Sequence, residues 1–536
     1  MRNVRHVAWL LGVVLLLMSG CEPTATPTPT ELVQVPTPTA GPKPMFFIPD
    51  QVIVTGPEDE VNEVVQLVQR SLDVTLKQIG QIDLRNLAPL LSRRDAQTQQ
   101  SGQQARGQSP ARSGPLPHFP PEKYDQVVIN LYTISDAKPV DEVVRAINGK
   151  AKELGTIKER GVQVFADPNY VTGGPPVEIS GDDPWCWEAD PFGGRSEPVD
   201  GSLSQQQWAF GAAGIGLYSG DTSTAPGIRP FSPTGKRVRV GVFDTSPFSV
   251  PDDAVSTESH AGLTLRVAHP KPKAVLTPPP GAPDVRDHGL FVAGQIHEVA
   301  PDSEIYLYRV LRNHGKGDLF TLTEAIKTFI EETLADKGML AGAVVNLSLG
   351  IHPPPDLITA GLPPEVVELE TIIYLAEGLD FVVVAASGND SNLTTIQAMQ
   401  LPAVYPVAIG VAASNAAGGR ACFSNRGDVA APGGDGSWPA CKQVISQCGL
   451  YPEFCVVGLS TSSPTGFAYW TGTSFATPLV SALAALILDA ADKPGVWLPP
   501  SWVAGMIYQG AVPTGPDLGA GIISLPHTLM SRWPPP

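Results

Sequence analysis

The chain is 536 residues long, carries a formal net charge of −17 and contains 53 glycines and 55 prolines. That length exceeds what one hydrophobic core ordinarily serves, so two folded parts plus tails are expected. The acidic balance gives no basic patch to hold phosphates and argues against a nucleic-acid partner, while the glycine and proline excess points to long surface loops and a tether.

Arg2 and Arg5 precede an apolar stretch over residues 7–18 that is too short to span a bilayer as a mature helix. It ends in Leu17-Met18-Ser19-Gly20-Cys21, which resembles a bacterial lipoprotein signal, although Met18 stands where Leu is commoner. Residues 1–20 are then a signal peptide and Cys21 the lipidated first residue of an envelope or extracellular protein. An ordinary secretory signal with an incidental cysteine is the alternative. Residues 21–44 alternate proline and threonine, as in Thr26-Pro27-Thr28-Pro29-Thr30, and are expected to form an extended polyproline-type tether with no core to bury.

Residues 45–172 carry no catalytic constellation but have a clear rhythm. Gln51 to Thr55 read as a strand, Val61, Val64, Val65 and Val68 recur at helical spacing, and another strand is expected near residues 74–79. Gln126 to Tyr132 read as a strand, Val140, Val143, Val144 and Ile147 as a second helix, and Val162 to Phe165 as a closing strand. This β-α-β-β-α-β order predicts a small ferredoxin-like α+β domain. Residues 92–121, rich in Gln, Ser, Arg and Pro, read as a disordered insertion, and residues 173–204 as a linker.

In residues 205–536 three segments carry chemistry. The β-branched run Val238-Arg239-Val240-Gly241-Val242-Phe243 reads as a buried strand ending at Asp244, followed by the turn-forming Thr245-Ser246-Pro247. Asp287-His288-Gly289-Leu290-Phe291-Val292-Ala293-Gly294 places a histidine before a small-residue helix. Gly472-Thr473-Ser474-Phe475-Ala476-Thr477-Pro478 places a serine at the mouth of an apolar helix, where unpaired N–H groups face a developing oxyanion. A serine hydroxyl needs a base, and the base needs an orienting acid, so Asp, His and Ser in this order suit acyl transfer. Taken singly, each is more often a turn former, a surface histidine or a helix cap. His260, His269, His297, His314 and His352 read as surface residues, and His260, in Ser256-Thr257-Glu258-Ser259-His260-Ala261-Gly262, is a weaker base candidate because no small-residue helix follows it.

With these motifs, residues 205–529 resemble the subtilisin family of serine endopeptidases: GTSFATP fits its nucleophile motif, HGLFVAG its histidine motif and VGVFDTS its aspartate motif. Ser246-Pro247 and Leu290 depart from the usual Gly and Thr. Val344 to Gly350 look like the family's substrate-edge strand, and Val382 to Asn389 like the strand ending in its oxyanion-hole Asn. The resemblance implies a three-layer α/β domain with a mainly parallel sheet. It also implies Asp244, His288 and Ser474 as catalytic residues, Asn389 as oxyanion donor, and Ser348, Leu349, Gly350, Ala386, Ser387 and Gly388 as substrate-binding residues. Such proteases are commonly preceded by a small inhibitory prodomain, and Asp167-Pro168-Asn169-Tyr170 resembles the end of one, lying in the cleft as a product-like strand. Polypeptides are the implied substrates, and the chain's own prodomain the inhibitor. Because lipid would attach ahead of the prodomain, cleavage between residues 170 and 205 would sever the catalytic part from its anchor.

No cofactor is required by this reading, and no metal site is assigned. Structural calcium is frequent in the family, yet no loop here has trustworthy acidic spacing. Cys186, Cys422, Cys441, Cys448 and Cys455 suit disulfides in an exported protein, with four of them in the stretch before Ser474. A zinc cluster lacks paired CxxC elements or a nearby histidine. An α/β-hydrolase esterase would need GxSxG and the serine first. A catalytically degenerate subtilisin fold serving as a surface binding protein is the other alternative.

Overall fold

The computed structural model describes residues 47–91, 117–120, 123–135, 138–158, 163–173, 207–211, 214–218, 231–274, 276–278, 284–351, 366–435, 455–491, 494–495 and 497–530. The signal, the tether with Cys21, nearly all of the 92–121 insertion, the linker beyond residue 173, and Cys186, His352, Cys441 and Cys448 lie outside the described residues.

The first elements are β1 (Phe47–Pro57), α1 (Glu58–Leu72), β2 (Leu76–Asp83), β3 (Val127–Ile134), α2 (Val140–Ile157) and β4 (Phe165–Gly173). Their strands pair antiparallel in the order β2-β3-β1-β4. Both helices start directly after a proline and bring acidic residues to the positive end of the helix, Glu58, Asp59 and Glu60 in α1, and Asp141 and Glu142 in α2. The 3.6-residue valine spacing turns Val61, Val64, Val65 and Val68 inward, against Val52, Val54 and Tyr132 on one face of the sheet.

The second group comprises β5 (Val238–Asp244), β6 (Ala254–His260), β7 (Leu263–His269), α3 (His288–Val299), β8 (Glu304–Arg309), β9 (Lys316–Asp318), α4 (Leu319–Ala335), β10 (Gly342–Leu347), α5 (Val367–Gly378), β11 (Phe381–Ala386), β12 (Ala408–Ser414) and β13 (Val429–Pro432). It ends with the hairpin β14 (Val456–Leu459) and β15 (Phe467–Trp470) and the helices α6 (Thr473–Ala490), α7 (Pro500–Gly510) and α8 (Leu525–Met530). Eight strands form a sheet in the order β13-β12-β11-β10-β5-β8-β7-β6, parallel except for the β6–β7 pair. Central strands β5, β10, β11 and β12 are buried at every residue, as a parallel sheet covered on both faces requires. Residues of α3 and α6 pack on one face and residues of α4 and α5 on the other, giving the three-layer α/β architecture.

Helix α6 is the one described helix long and apolar enough to cross a membrane, but 89% of it is buried inside the protein, as a core helix. Pro478 lies in its second turn. Proline has no N–H for the carbonyl four residues earlier, that of Ser474, and the Ser348 hydroxyl donates to that carbonyl instead, at 2.8 Å.

The small sheet is covered on both faces along β1, β3 and β4, while β2 is largely exposed. Its second face, with Ile53, Ile129, Leu131 and Tyr170, belongs to the same apolar cluster as Leu319 and Phe320 of α4 and Ile372 and Ile373 of α5. Strand β4 also reaches the first residues of both helices: Asn169 Oδ1 accepts from Phe320 N at 3.1 Å, and Asp167 Oδ2 accepts from Val367 N at 3.1 Å. Two side chains of the small sheet thus satisfy helix-terminal N–H groups that would otherwise lack partners.

Glu368 stands beside these caps, fully buried, with Thr323 as a polar side-chain neighbour favouring the ionised form. Burial, reinforced by the nearby Asp167 and Asp318 carboxylates, holds its carboxyl well above the usual range. An acid whose folded-state pKa is raised stabilises the fold in full below its unfolded value, about 4.3, and this contribution is lost as pH rises toward the folded value. Glu368→Gln should therefore flatten the decline in stability above that pH; urea unfolding across the acidic to alkaline range measures it, and an unchanged pH slope would refute the assignment.

Candidate active site

The carboxyl ends of β5, β10 and β11 lie side by side, and each feeds a loop into the same place. This is where open α/β sheets bind ligands. Asp244 is the last residue of β5 and fully buried. Its Oδ1 accepts from Thr245 N at 2.7 Å, and His288 Nδ1 lies 2.7 Å from Oδ1 and 2.9 Å from Oδ2. A Nδ1–H held on a carboxylate leaves Nε2 as the proton acceptor.

His288 is the first residue of α3, and Gly289 allows that helix to lie so close to the strand. A Cβ at residue 289 would stand 2.2 Å from the Thr245 carbonyl oxygen and 2.9 Å from Asp244 Cβ. The Thr245 hydroxyl accepts from Gly289 N at 3.1 Å and donates to the carbonyls of Val285 and Arg286. Asp287 fixes the opposite side of the helix start, accepting from the Ser460 and Thr461 hydroxyls and from Ser462 N. The imidazole is walled by Trp470, edge-on at 5.3 Å, and by Phe475 at 4.9 Å.

Ser474 is the second residue of α6, whose preceding Gly472 has φ of 152°, a value that favours glycine. Its hydroxyl donates to the Ser348 carbonyl at 3.0 Å, the reciprocal of the Ser348 hydroxyl bond to the Ser474 carbonyl. The serine is therefore tied to the end of β10, next to the aromatic wall of His288, with its hydroxyl turned onto Ser348. Asn389, in the loop after β11, accepts through Oδ1 from Thr473 N at 3.0 Å and the Thr473 hydroxyl at 2.9 Å. Two donors on Oδ1 fix the sense of the amide, so Nδ2 is the atom left for an acceptor.

The expected substrate-binding residues lie at or just after the ends of β10 and β11. Ser348, Leu349, Ala386 and Ser387 are buried, while Gly350 and Gly388 are partly exposed. The end of β4 runs between the cleft edges: Val171, Thr172 and Gly173 pair antiparallel with Asp318, Gly317 and Lys316 of β9, while Thr172 bridges Ile351 and Gly173 N donates to the Gly350 carbonyl at 3.1 Å. A chain segment in extended conformation thus lies between β9 and the stretch that follows β10. Among the described residues no group of three or more His, Cys, Asp or Glu gathers to hold a metal ion.

The histidines divide as follows. His260 ends β6, with Nε2 3.4 Å from the Gly466 carbonyl oxygen. His269, expected at the surface, is fully buried, with Nδ1 2.6 Å from the Val250 carbonyl oxygen and Nε2 3.1 Å from Ser246 Oγ. The β6–β7 hairpin extends the sheet, and strand alternation carries residue 269 inward with Leu263, Leu265 and Val267. Burial pulls its imidazole down to about 4, so it is neutral at ordinary pH. Thr245, Asp287, Trp470 and Asn425, all close to the site, were not singled out by sequence. Only Thr245 and Asp287 had a local signal, as neighbours of Asp244 and His288.

Residues 235–521 match the model of the subtilase family. The chain belongs to the subtilase family. Subtilases are serine endopeptidases, so hydrolysis of peptide bonds is the chemistry of this family. This subtilase is 28% identical over 311 residues to a subtilisin of Bacillus pumilus, covering 55% of this chain and 90% of that protein. It is 29% identical over 280 residues to subtilisin E of Bacillus subtilis, covering 49% of this chain and 59% of that protein. A lanthipeptide protease of known structure is similar at 21% identity and a TM-score of 0.40, covering 55% of this chain and 87% of that one.

The contact at Gly289 gives a test. Gly289→Ala must push α3 off β5 and lengthen the bond from Asp244 to His288, so kcat should fall by at least about tenfold (about 1.4 kcal/mol) with KM little changed. Equal kcat values for the two proteins would show that the approach of α3 to β5 does not matter.

Proposed function

We propose that this subtilase is an exported, lipid-tethered serine endopeptidase, made as a self-inhibited precursor, that cleaves polypeptides through Ser474, His288 and Asp244. What supports the reading is the Asp244–His288 pair, the place of Ser474 next to Phe475, which walls the imidazole, and the orientation of Asn389 by Thr473. For attack, the Ser474 hydroxyl rotates from the Ser348 carbonyl toward His288 Nε2. The imidazole takes the proton as Oγ bonds to the scissile carbonyl carbon, and Asp244 stabilises the imidazolium. The oxyanion accepts from Asn389 Nδ2 and Ser474 N. His288 then protonates the departing amine, and water repeats the cycle on the acyl-enzyme. No step draws on a cofactor, and any calcium would be structural.

The seat of β4 supports the inhibitory reading. Residues 171–173 lie between Lys316–Asp318, to which they pair antiparallel, and residues 350–351, the edges along which an extended substrate would add as a strand. Residues 45–172 are accordingly proposed as the prodomain, 173–204 as the stretch in which maturation cuts, and 205–536 as the catalytic domain. Ser348, Leu349, Gly350, Ala386, Ser387 and Gly388 are the proposed substrate contacts. Cys21, after the signal-like residues 1–20, is the proposed lipid site, and cutting beyond residue 173 would free the catalytic part from that anchor into the envelope or medium. Disulfides are proposed to staple the region before Ser474, where Cys422 and Cys455 are both buried.

The test is a fluorophosphonate probe with N-terminal sequencing. The expected result is a processed chain, beginning beyond residue 173, that labels and hydrolyses peptides. Ser474→Ala should stay full-length and unlabelled, and Asn389→Ala should lose about 10²–10³ in kcat. A processed wild-type protein that neither labels nor hydrolyses would favour a noncatalytic binding module.

A further inference from the structure

Asn389 is held at its tip by Thr473, and a second residue holds its base. Asn425 lies in the loop between β12 and β13 and is fully buried. Its Oδ1 accepts from Asp390 N and the Ser391 hydroxyl, both at 2.9 Å. Its Nδ2 donates to the Ser387 carbonyl at 3.2 Å and to Asp390 Oδ2 at 2.9 Å. Its backbone N–H donates to the Gly388 carbonyl at 3.0 Å, and its carbonyl accepts from the Ser387 hydroxyl at 3.3 Å. One side chain therefore grips residues 387, 390 and 391, on both sides of Asn389, without these bonds involving Asn389 itself.

The amide of asparagine has two donor hydrogens and two acceptor lone pairs, and all four are used here. Aspartate would lose both donors and face the Asp390 carboxylate, serine could make only part of the set, and glutamine is a methylene too long for the same seat. Gly388 belongs to the same device. Its φ of 106° is in the region that favours glycine, and a Cβ there would stand 2.5 Å from Asn425 Nδ2. The loop is thus closed down on the Asn425 amide from one side while Thr473 fixes the far end of Asn389 from the other. A hydrogen-bond donor to an oxyanion works through pre-set position, because a small misplacement forfeits most of its benefit.

We propose that Asn425 is the positioning residue for the Asn389 amide: it acts on the rate through Asn389, by clamping the loop residues that flank it, and touches no substrate. Asp390 is the third member of the clamp. Burial pushes its carboxyl up to about 6, and the Asn425 amide acts against that rise by donating to it. The inference rests on the reading of Asn389 as the oxyanion donor.

The experiment is a double-mutant cycle on the processed product of the full-length chain, with Asn389→Ala, Asn425→Ala and the double variant assayed on a peptidyl anilide. Variants that fail to mature themselves are processed by a trace of affinity-tagged wild-type enzyme, which is then removed. Asn425→Ala should lower kcat by about 10- to 100-fold, short of the 10²–10³ for the donor itself, with KM within about threefold. In the Asn389→Ala background the same change should cost less than about twofold, since coupled residues are not additive. Asn425→Ser, which keeps part of the clamp, should recover part of kcat and replaces the alanine variant should that one fail to fold by thermal melt. Equal losses in the two backgrounds, or a loss confined to KM, would overturn the positioning role while leaving Asn389 in place. An Asn389→Ala enzyme with undiminished kcat would overturn the reading of Asn389 and the role of Asn425 with it.

Discussion

The pairing of the Asp244 carboxylate with the His288 imidazole is the constraint around which the rest of the site is arranged. It is a buried contact, so it requires a strand end and a helix start to meet with no side chain between them, and residue 289 supplies that gap. Thr245 then becomes a hinge pin: its amide steadies the carboxylate, and its hydroxyl binds Gly289 N and the turn before α3. Asp287 ties the same helix start to the loop that leads through β15 to α6 and Ser474. Asp244, His288 and the loop leading to Ser474 are therefore linked through backbone and polar side chains.

The serine shows the same economy. Pro478 frees the Ser474 carbonyl, the Ser348 hydroxyl takes it, and Ser348 is itself contacted by the buried Asn346 amide, which accepts from Ser481 one turn beyond Pro478. A helix irregularity, a cleft-edge residue and a core polar chain are thus parts of one arrangement. Buried polar groups joined this way fix a single geometry, because any alternative leaves one of them without a partner.

Much of this was legible in sequence because the pertinent signals are local. The valines of α1 repeat at helical spacing and pack inward, and the unbroken β-branched run before Asp244 became a fully buried central strand. The motifs carrying Asp244, His288 and Ser474 fell at a strand end and two helix starts. What escaped was relational. Asn425 meets Ser387 and Asp390 across more than thirty residues of sequence, and nothing in its own neighbourhood announces the contact. His269 read as a surface residue because its environment is made by a hairpin joining the edge of the sheet and by Ser246, 23 positions earlier. The burial of Glu368 depends likewise on a sheet some 200 residues away in sequence, one strand of which caps the neighbouring Val367 N–H.

If β4 is the inhibitor proposed above, occupant and groove belong to the same polypeptide, and this governs how the site is opened. A separate inhibitor is lost on dilution, whereas a tethered one is present at a local concentration set by its linker, of millimolar order for a short flexible connection. Secretion into a large volume would not vacate such a cleft. Only severing the connection turns the occupant into a ligand that can drift away, and from then on its hold is governed by ordinary mass action.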